Sequence, residues 1–315
     1  MATFLREEWL PGVEIELAPT TSALYATLAR AYIVPRIGTV RLDALSPTDL
    51  TTLYRDLLAD GGRGGRPLAP KTVRHVHTTL RKALADAVEA KHISWNPATA
   101  AKAPKVARTK EPDHWNAEQV GAFLRSVTGD RLEALWVLAL TAGMRRGEVL
   151  GLRWTDVDLD GAKLHVRQTR VAYGKLQVTK EPKTTRGRRP IPLSPLAVEA
   201  LKAHRTRQKR EKLAAGPAYT DSGFVFADEI GDPLDPPSVS ASFGRLVRSA
   251  GLPRITLHGA RHSFATVALE AGVDVPYVSE LLGHSSPAIT QGVYQHVRTE
   301  RLEAAMEAIT DAISP

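Results

Sequence analysis

Apolar residues recur at intervals of three and four along most of this chain, and one stretch changes period. At 20–32 the interval predicts a helix that stops before Pro35. Ser46-Pro47-Thr48-Asp49 has the form of a capping box and opens a second helix, which ends in the glycine-rich segment GGRGGR at 61–66. A third is predicted over about 70–91. Val73, Val76, Leu80, Ala83 and Ala87 line one side of it, and Lys71, Arg74, His75, Thr78, Arg81 and Lys82 fall on the other. Asn116 is an N-cap for AEQVGAFLRSV, and EALWVLAL within 131–142 is apolar enough to predict a helix buried on most sides. Ser194-Pro195 opens a long helix running past Lys212; 235–251 and 257–271 hold two more. The exception begins at Trp154. VDLDGAKLHVRQTRVAYGKLQV alternates apolar and polar residues, with turn signals at Asp160-Gly161 and Tyr173-Gly174, and the basic turn EPKTTRGRR leads into a last strand, PIPL. The fold class is therefore mainly α with a small antiparallel β-sheet.

Two domains are expected. Residues 1–97 read as a small helical domain, 98–112 as a linker of Ala, Pro and basic residues, and 113–315 as a second domain with its own core. A net charge of +8 and a pI near 9.7 favour a polyanionic partner, nucleic acid foremost. That gives the basic stretches a sharper reading. The face carrying Lys71, Arg74, Arg81 and Lys82 is either a solvated surface or one that tracks phosphates, and Lys102, Lys105, Arg108 and Lys110 either keep the linker soluble or lay it along a DNA backbone. The run KAHRTRQKREK at 202–212 reads as a solvated helix face. The chain has no cysteine, which excludes disulfides and cysteine-ligated zinc. No apolar run approaches the roughly 20 residues of a membrane span, and the first residues do not resemble a signal peptide, so a cytoplasmic, nucleoid-associated protein with no membrane partner is expected.

The candidate chemistry is concentrated in 256–296. His258 and Arg261 lie three apart near the start of one predicted helix, on one face, where both can point at one anion. Asp274 and Pro276 open a short helix that Gly283 ends, placing His284 on a corner before Ser286-Pro287 opens the next, and Tyr294 comes at the end of that one. Each has an ordinary alternative. His284 can cap backbone groups, Tyr294 can be a half-buried aromatic as Tyr277 is expected to be, and His258 with His262 has metal-ligand spacing but no accompanying glutamate or cysteine. Arg145 and Arg146, after the apolar helix, can be cations serving carbonyls at its end. Lys183 competes with Lys180, Arg186, Arg188 and Arg189 in one basic turn.

Taken in order, TAGMRRGEVLGLRW, the turn holding Lys183, LHGARHSFAT, LLGH and GVYQH resemble the ordered motifs of the tyrosine recombinases, the phage integrase family, and the first domain resembles that family's core-binding domain. The resemblance implies Arg145, Lys183, His258, Arg261, His284 and Tyr294 as the active site, with Glu148 as a supporting carboxylate. It selects Arg145 over Arg146 and Lys183 over its neighbours. The implied activity is site-specific integration or excision of a mobile element through a 3′-phosphotyrosyl intermediate and a Holliday junction, with no cofactor, ATP or metal. The implied fold is a two-domain clamp on double-stranded DNA attachment sites. A homotetramer would exchange the last helix, with Leu302, Met306 and Ile309 as its apolar contacts, and accessory DNA-bending or directionality factors are further implied partners. The His284-to-Tyr294 interval is one residue longer than in many relatives, which reads as an insertion at the Pro287 turn. Because the helical pattern starts almost at Met1, an additional arm-binding domain is either absent or missing from this sequence. Xer-like chromosome-dimer resolution is the nearest alternative, a type IB topoisomerase shares the chemistry without needing paired sites, and a catalytically silent DNA-binding protein and a metal-dependent nuclease are the alternatives from other classes.

Overall fold

The computed structural model describes residues 1–106, 113–173, 176–180 and 187–283. Lys183, His284, Tyr294, Arg108, Lys110 and the last-helix residues Leu302, Met306 and Ile309 lie outside them. The chain divides into two compact units, Met1–Lys110 and Glu111–Pro315. Its described residues are mainly helical with small antiparallel sheets, the class the periodicity predicts.

In the first unit a π-helical turn, Phe4–Trp9, runs into α1 (Leu10–Glu16), and α2 spans Pro19–Leu28. The predicted stop before Pro35 does not occur. The chain widens into a π-helical turn at Ala29–Ile33, where the Val34 N–H donates to the Ala29 carbonyl, and continues as α3 (Val34–Ile37) with Pro35 in its first turn. The widened register precedes the residue that has no N–H to give, so the proline ends no ladder. α4 (Pro47–Asp60) begins with the predicted capping box: Ser46 Oγ accepts from the Asp49 N–H, and the Asp49 carboxylate accepts from the Ser46 N–H at 2.9 Å. α5 (Pro70–Glu89) buries Val73, Val76, Leu80, Ala83 and Ala87 against Leu5, Ile33, Leu50 and Leu57. Lys71, Arg74 and Arg81 stay exposed, whereas Lys82 is paired with Asp86 at 2.6 Å, on a carboxylate that also accepts from Trp9 Nε1 at 2.7 Å. Ala98 and Ala101, inside the expected linker, pack into this unit's core.

The second unit is built on α7 (Glu133–Thr141), whose residues from Ala134 to Leu140 are all buried. Before it comes α6 (Ala117–Ser126), capped reciprocally by Asn116 and Gln119. Trp115, Phe123, Trp136 and Phe243 form one aromatic cluster with ring centroids 5.1–6.1 Å apart. The predicted single sheet is two. β1 (Val157–Asp158), β2 (Lys163–Val166) and β5 (Arg189–Pro192) pair antiparallel in the order β1-β2-β5, with Val166 opposite Arg189, while β3 (Thr169–Tyr173) and β4 (Leu176–Lys180) form a separate hairpin. β2 has neighbours on both sides, so β3, following it closely, has no free edge there to join.

α9 (Pro195–Ala215) packs on α7, and its basic run is not simply a solvated face. His204 is buried with Nε2 2.7 Å from the Val225 carbonyl, and Glu211 holds Arg131 through two bonds of 2.8 Å. α10 (Pro236–Ser249), α11 (Leu257–Glu270) and α12 (Val275–Leu282) complete the unit. α11 and α12 share a small core of Ala265, Leu269, Val278 and Leu282. Tyr277, expected half-buried, is 63% exposed, because α12 turns Val278 and Leu282 inward and leaves position 277 outside.

Candidate active site

The site grows from three helix ends. α7 stops at Thr141 and Gly143 takes a left-handed φ of 58°, so the chain reverses closely against α11 and α12; a Cβ at this position would overlap Phe264 and Leu282. The reversal makes Arg145 the N-cap of α8 (Arg146–Gly151). Glu148, in the first turn of α8, folds back on it: one carboxylate oxygen accepts from the Arg145 N–H at 3.0 Å and the other from Arg145 Nη1 at 2.7 Å. Arg145 is 42% exposed at its side chain, Glu148 only 4%. Arg146 points elsewhere, donating to Ser240 Oγ on α10 at 2.7 Å. The geometry thus separates the two adjacent arginines that spacing alone leaves equivalent.

α11 supplies the second end. Thr256 caps it by accepting from the Gly259 N–H, and its first turns carry His258, Arg261 and His262. Arg261 is 3% exposed and gives Nη1 to the Gly143 carbonyl at 2.8 Å and Nη2 to the Leu282 carbonyl at 2.6 Å. The rings of His258 and His262 meet edge to face with centroids 4.6 Å apart, which encloses one side of His258 and leaves the other open to solvent. Partial desolvation, then the charges of Arg261 and Arg145, hold the His258 imidazole below its ordinary pKa. Desolvation together with His258, Arg261 and His114 pushes His262 down to about 4. Both rings are therefore neutral near pH 7, and a neutral imidazole can accept a proton. Among the described residues no group of histidines and carboxylates is placed to hold a metal ion.

The third end is the C-terminus of α12, where Gly283 is left-handed with φ 63°. The last carbonyls of a helix have no donor within it and mark the negative end of its dipole. Here three successive ones accept from three arginines: Leu281 from Arg189 Nε at 2.6 Å, Leu282 from Arg261, and Gly283 from Arg145 Nη2 at 3.2 Å. His284 is the next residue in the sequence.

Arg189 appears in the sequence only as one of several cations near Lys183. In the structure its side chain is 5% exposed, and it meets the same two Glu148 oxygens that Arg145 uses, with Nη2 at 3.1 Å from one and Nη1 at 3.4 Å from the other. Burial alone would raise the Glu148 pKa, but the charge and hydrogen bonds of Arg189, joined by Arg145, hold it below the ordinary value. One signal for this was present in the sequence. RPIP alternates, so Arg189 shares the inward face with Ile191, and an arginine in a buried strand position requires an acid. Arg145, Glu148, His258 and Arg261 are thus brought together, with Arg189 added. Lys71, Arg74, Arg81, Lys82, Lys102 and Lys105 belong to the first unit.

The phage integrase family model matches residues 114–301. A "Tyrosine recombinase XerC-like" protein of Caldanaerobacter subterraneus is 30% identical over 98% of this chain and 82% of its own length. The integrase of Mycobacterium phage L5 is 30% identical over 96% of this chain and 77% of its own. Among solved structures, the Tn1549 transposon integrase in complex with transposon right end DNA superposes with a TM-score of 0.75 at 22% identity, covering 98% of this chain and 99% of that one. With more than half its length matched by the family model, the chain belongs to the phage integrase family. It is a tyrosine-type site-specific DNA recombinase, of the kind that recombines mobile elements.

Proposed function

We propose that the chain integrates or excises a mobile element by attack of Tyr294 on a DNA phosphodiester, using Arg145, Lys183, His258, Arg261 and His284 at the scissile phosphate and Glu148 in support. The observation that carries this reading is the arrangement of Arg145, Arg261 and Arg189 on the carbonyls that lead to His284, with His258 electrostatically coupled to two of them. Attack on a phosphodiester adds negative charge to its non-bridging oxygens. A guanidinium, always charged and able to fork onto two oxygens, stabilises that charge without taking part in proton transfer. Arg145, the more exposed of the two assigned arginines, presents such a fork with Glu148 behind it.

The Tyr294 hydroxyl, with an unperturbed pKa of about 10, must lose its proton as it attacks. A neutral His258 accepts it. The bond from tyrosine oxygen to phosphorus forms as the bond from phosphorus to the 5′-oxygen breaks, and Lys183 delivers a proton to that departing oxygen, leaving a 3′-phosphotyrosyl ester and a free 5′-hydroxyl. His284 donates to a non-bridging oxygen. Since the ester retains the energy of the broken bond, a 5′-hydroxyl from a second duplex can attack it and reseal the strand, which leads through a Holliday junction.

Both units engage the duplex in this proposal: the first through Lys71, Arg74, Arg81, Lys82 and the basic residues Lys102, Lys105, Arg108 and Lys110. Paired sites call for a homotetramer joined through the last helix, with DNA-bending or directionality factors as further partners. The reaction takes place at the nucleoid in the cytoplasm, and among the described residues no helix is long and apolar enough to cross a membrane. Chromosome-dimer resolution is a second reading, favoured by the similarity to the XerC-like protein. The test is recombination between two plasmids carrying the element's attachment sites, in chelator and without ATP. Holliday junctions and recombinants support the proposal; relaxation without exchange contradicts it, and exchange confined to chromosome-dimer sites selects the second reading.

A further inference from the structure

We propose that Arg189 is a positioning residue for strand cleavage, fixing Arg145 and the end of α12 in one register. The inference rests on the active-site reading above. One buried guanidinium serves three places at once. Its Nη1 and Nη2 lie on the Glu148 carboxylate, whose other partner is Arg145. Its Nε holds the Leu281 carbonyl, three residues before His284. Nη1 also lies 3.4 Å from the carbonyl of Gly187, the residue that directly follows 181–186, the stretch containing Lys183.

Its burial makes a direct role on DNA unnecessary to explain its charge. The Glu148 carboxylate is nearly inaccessible, and Arg145, whose own side chain is 42% exposed, gives each of its oxygens one bond. Arg189 adds a second, buried donor to each oxygen, so the carboxylate stays ionised and Arg145 keeps its fixed partner. Two nitrogens on an acid and a third on a helix-end carbonyl is a fork geometry. A lysine ammonium, a single point on a flexible stem, cannot reproduce it. Releasing Arg189 therefore lets α12 and α8 shift against each other while the rest of the core remains. Because reacting groups must be held to within a fraction of an ångström, such a shift lowers the rate of the chemical step.

The experiment measures single-turnover adduct formation on a nicked attachment-site duplex at saturating DNA, for wild type, Arg189→Lys and Arg189→Gln, with DNA affinity and circular dichroism for each. Loss of folded protein lowers the amount of adduct; loss of positioning lowers its rate constant. We expect rate constants reduced on the order of 10-fold to 100-fold, DNA affinity little changed, and Arg189→Lys no better than slightly improved over Arg189→Gln. A folded variant of either kind that reacts at the wild-type rate constant overturns the proposal. If neither single variant folds, the Glu148→Gln/Arg189→Gln pair, which removes both buried charges of this ion pair, is read against Glu148→Gln alone. A further loss in the pair supports the hold of Arg189 on the Leu281 carbonyl, and a rate constant equal to that of Glu148→Gln contradicts that part of the proposal. Absence of adduct with wild-type protein contradicts the active-site reading itself and is distinguishable from all of these outcomes.

Discussion

Arg261 on α11 donates to the carbonyl of Gly143, 118 residues earlier in the chain, at 2.8 Å. That bond sets the turn from which Arg145 emerges, and the other nitrogen of the same guanidinium holds Leu282. An arginine that we propose to act on phosphate is thus also the tie between two helix ends. Its loss affects stability as well as chemistry. Hydrogen bonds to charged groups contribute about 1.5–3 kcal/mol each, so Arg261→Ala is expected to lose at least one such increment in chemical unfolding, together with cleavage.

Arg145→Lys separates the two effects. The side chain is 42% exposed, so the stability change should stay within about 1 kcal/mol, while removal of the fork lowers the cleavage rate by roughly 100-fold or more. Equal losses of stability in Arg145→Lys and Arg261→Ala would show that the burial difference is irrelevant.

Gly143→Ala places a methyl group in a left-handed position and against Phe264 and Leu282. The expected cost is about 1–3 kcal/mol, read as a lower melting temperature, with cleavage lost beyond the loss of folded protein because Arg145 moves.

Acidification should act in two windows, an upper one in which His262 contributes beside the likewise depressed His258, and a lower one set by Glu148. His262 has a folded-state pKa of about 4, below the ordinary histidine value of 6.5. The unfolded state binds the extra proton, so this contribution is complete above about pH 6.5 and is lost as pH falls towards 4. Glu148, depressed below 4.5, contributes stability above its unfolded value that is lost as pH falls through its lower folded value. His262→Gln should flatten the upper part of the stability profile and leave the lower part. An unchanged slope between pH 4 and 6.5 would contradict the assignment.

On the first unit, Lys71, Arg74 and Arg81 are exposed while Lys82 is held by Asp86. Each exposed cation that contacts phosphate should lower the salt slope of DNA binding by about one when changed to Gln. Lys82→Gln should affect binding less, because its charge is already neutralised at home.

Much of the fold was legible because its signals are local. Ser46, Asn116, Ser194 and Gly283 mark helix ends by chemistry that acts within a few residues, and all four do so in the structure. Pro35 misled because the widened turn before it depends on the packing of Ala29 and Ile33, which the proline itself does not reveal. The division of the strands into two sheets depends on β5 returning to β2, a long-range pairing that alternation does not encode. At the site, the family resemblance pointed to Arg145, Glu148, His258 and Arg261, which the structure places close together, but the carbonyls that receive the guanidiniums are backbone atoms and leave no mark in composition. Arg189 left only the alternation of RPIP as a signal, because its partners, Glu148 and the Leu281 carbonyl, are distant in sequence.

The central claim is the nucleophile. Wild type and Tyr294→Phe are incubated in chelator with attachment-site DNA nicked to prevent religation, and the products are separated on a denaturing gel. The account predicts a covalent protein–DNA adduct with wild type that survives chelator and vanishes in Tyr294→Phe. Specific binding to authentic site DNA with no adduct, or an adduct that persists in Tyr294→Phe, would contradict it.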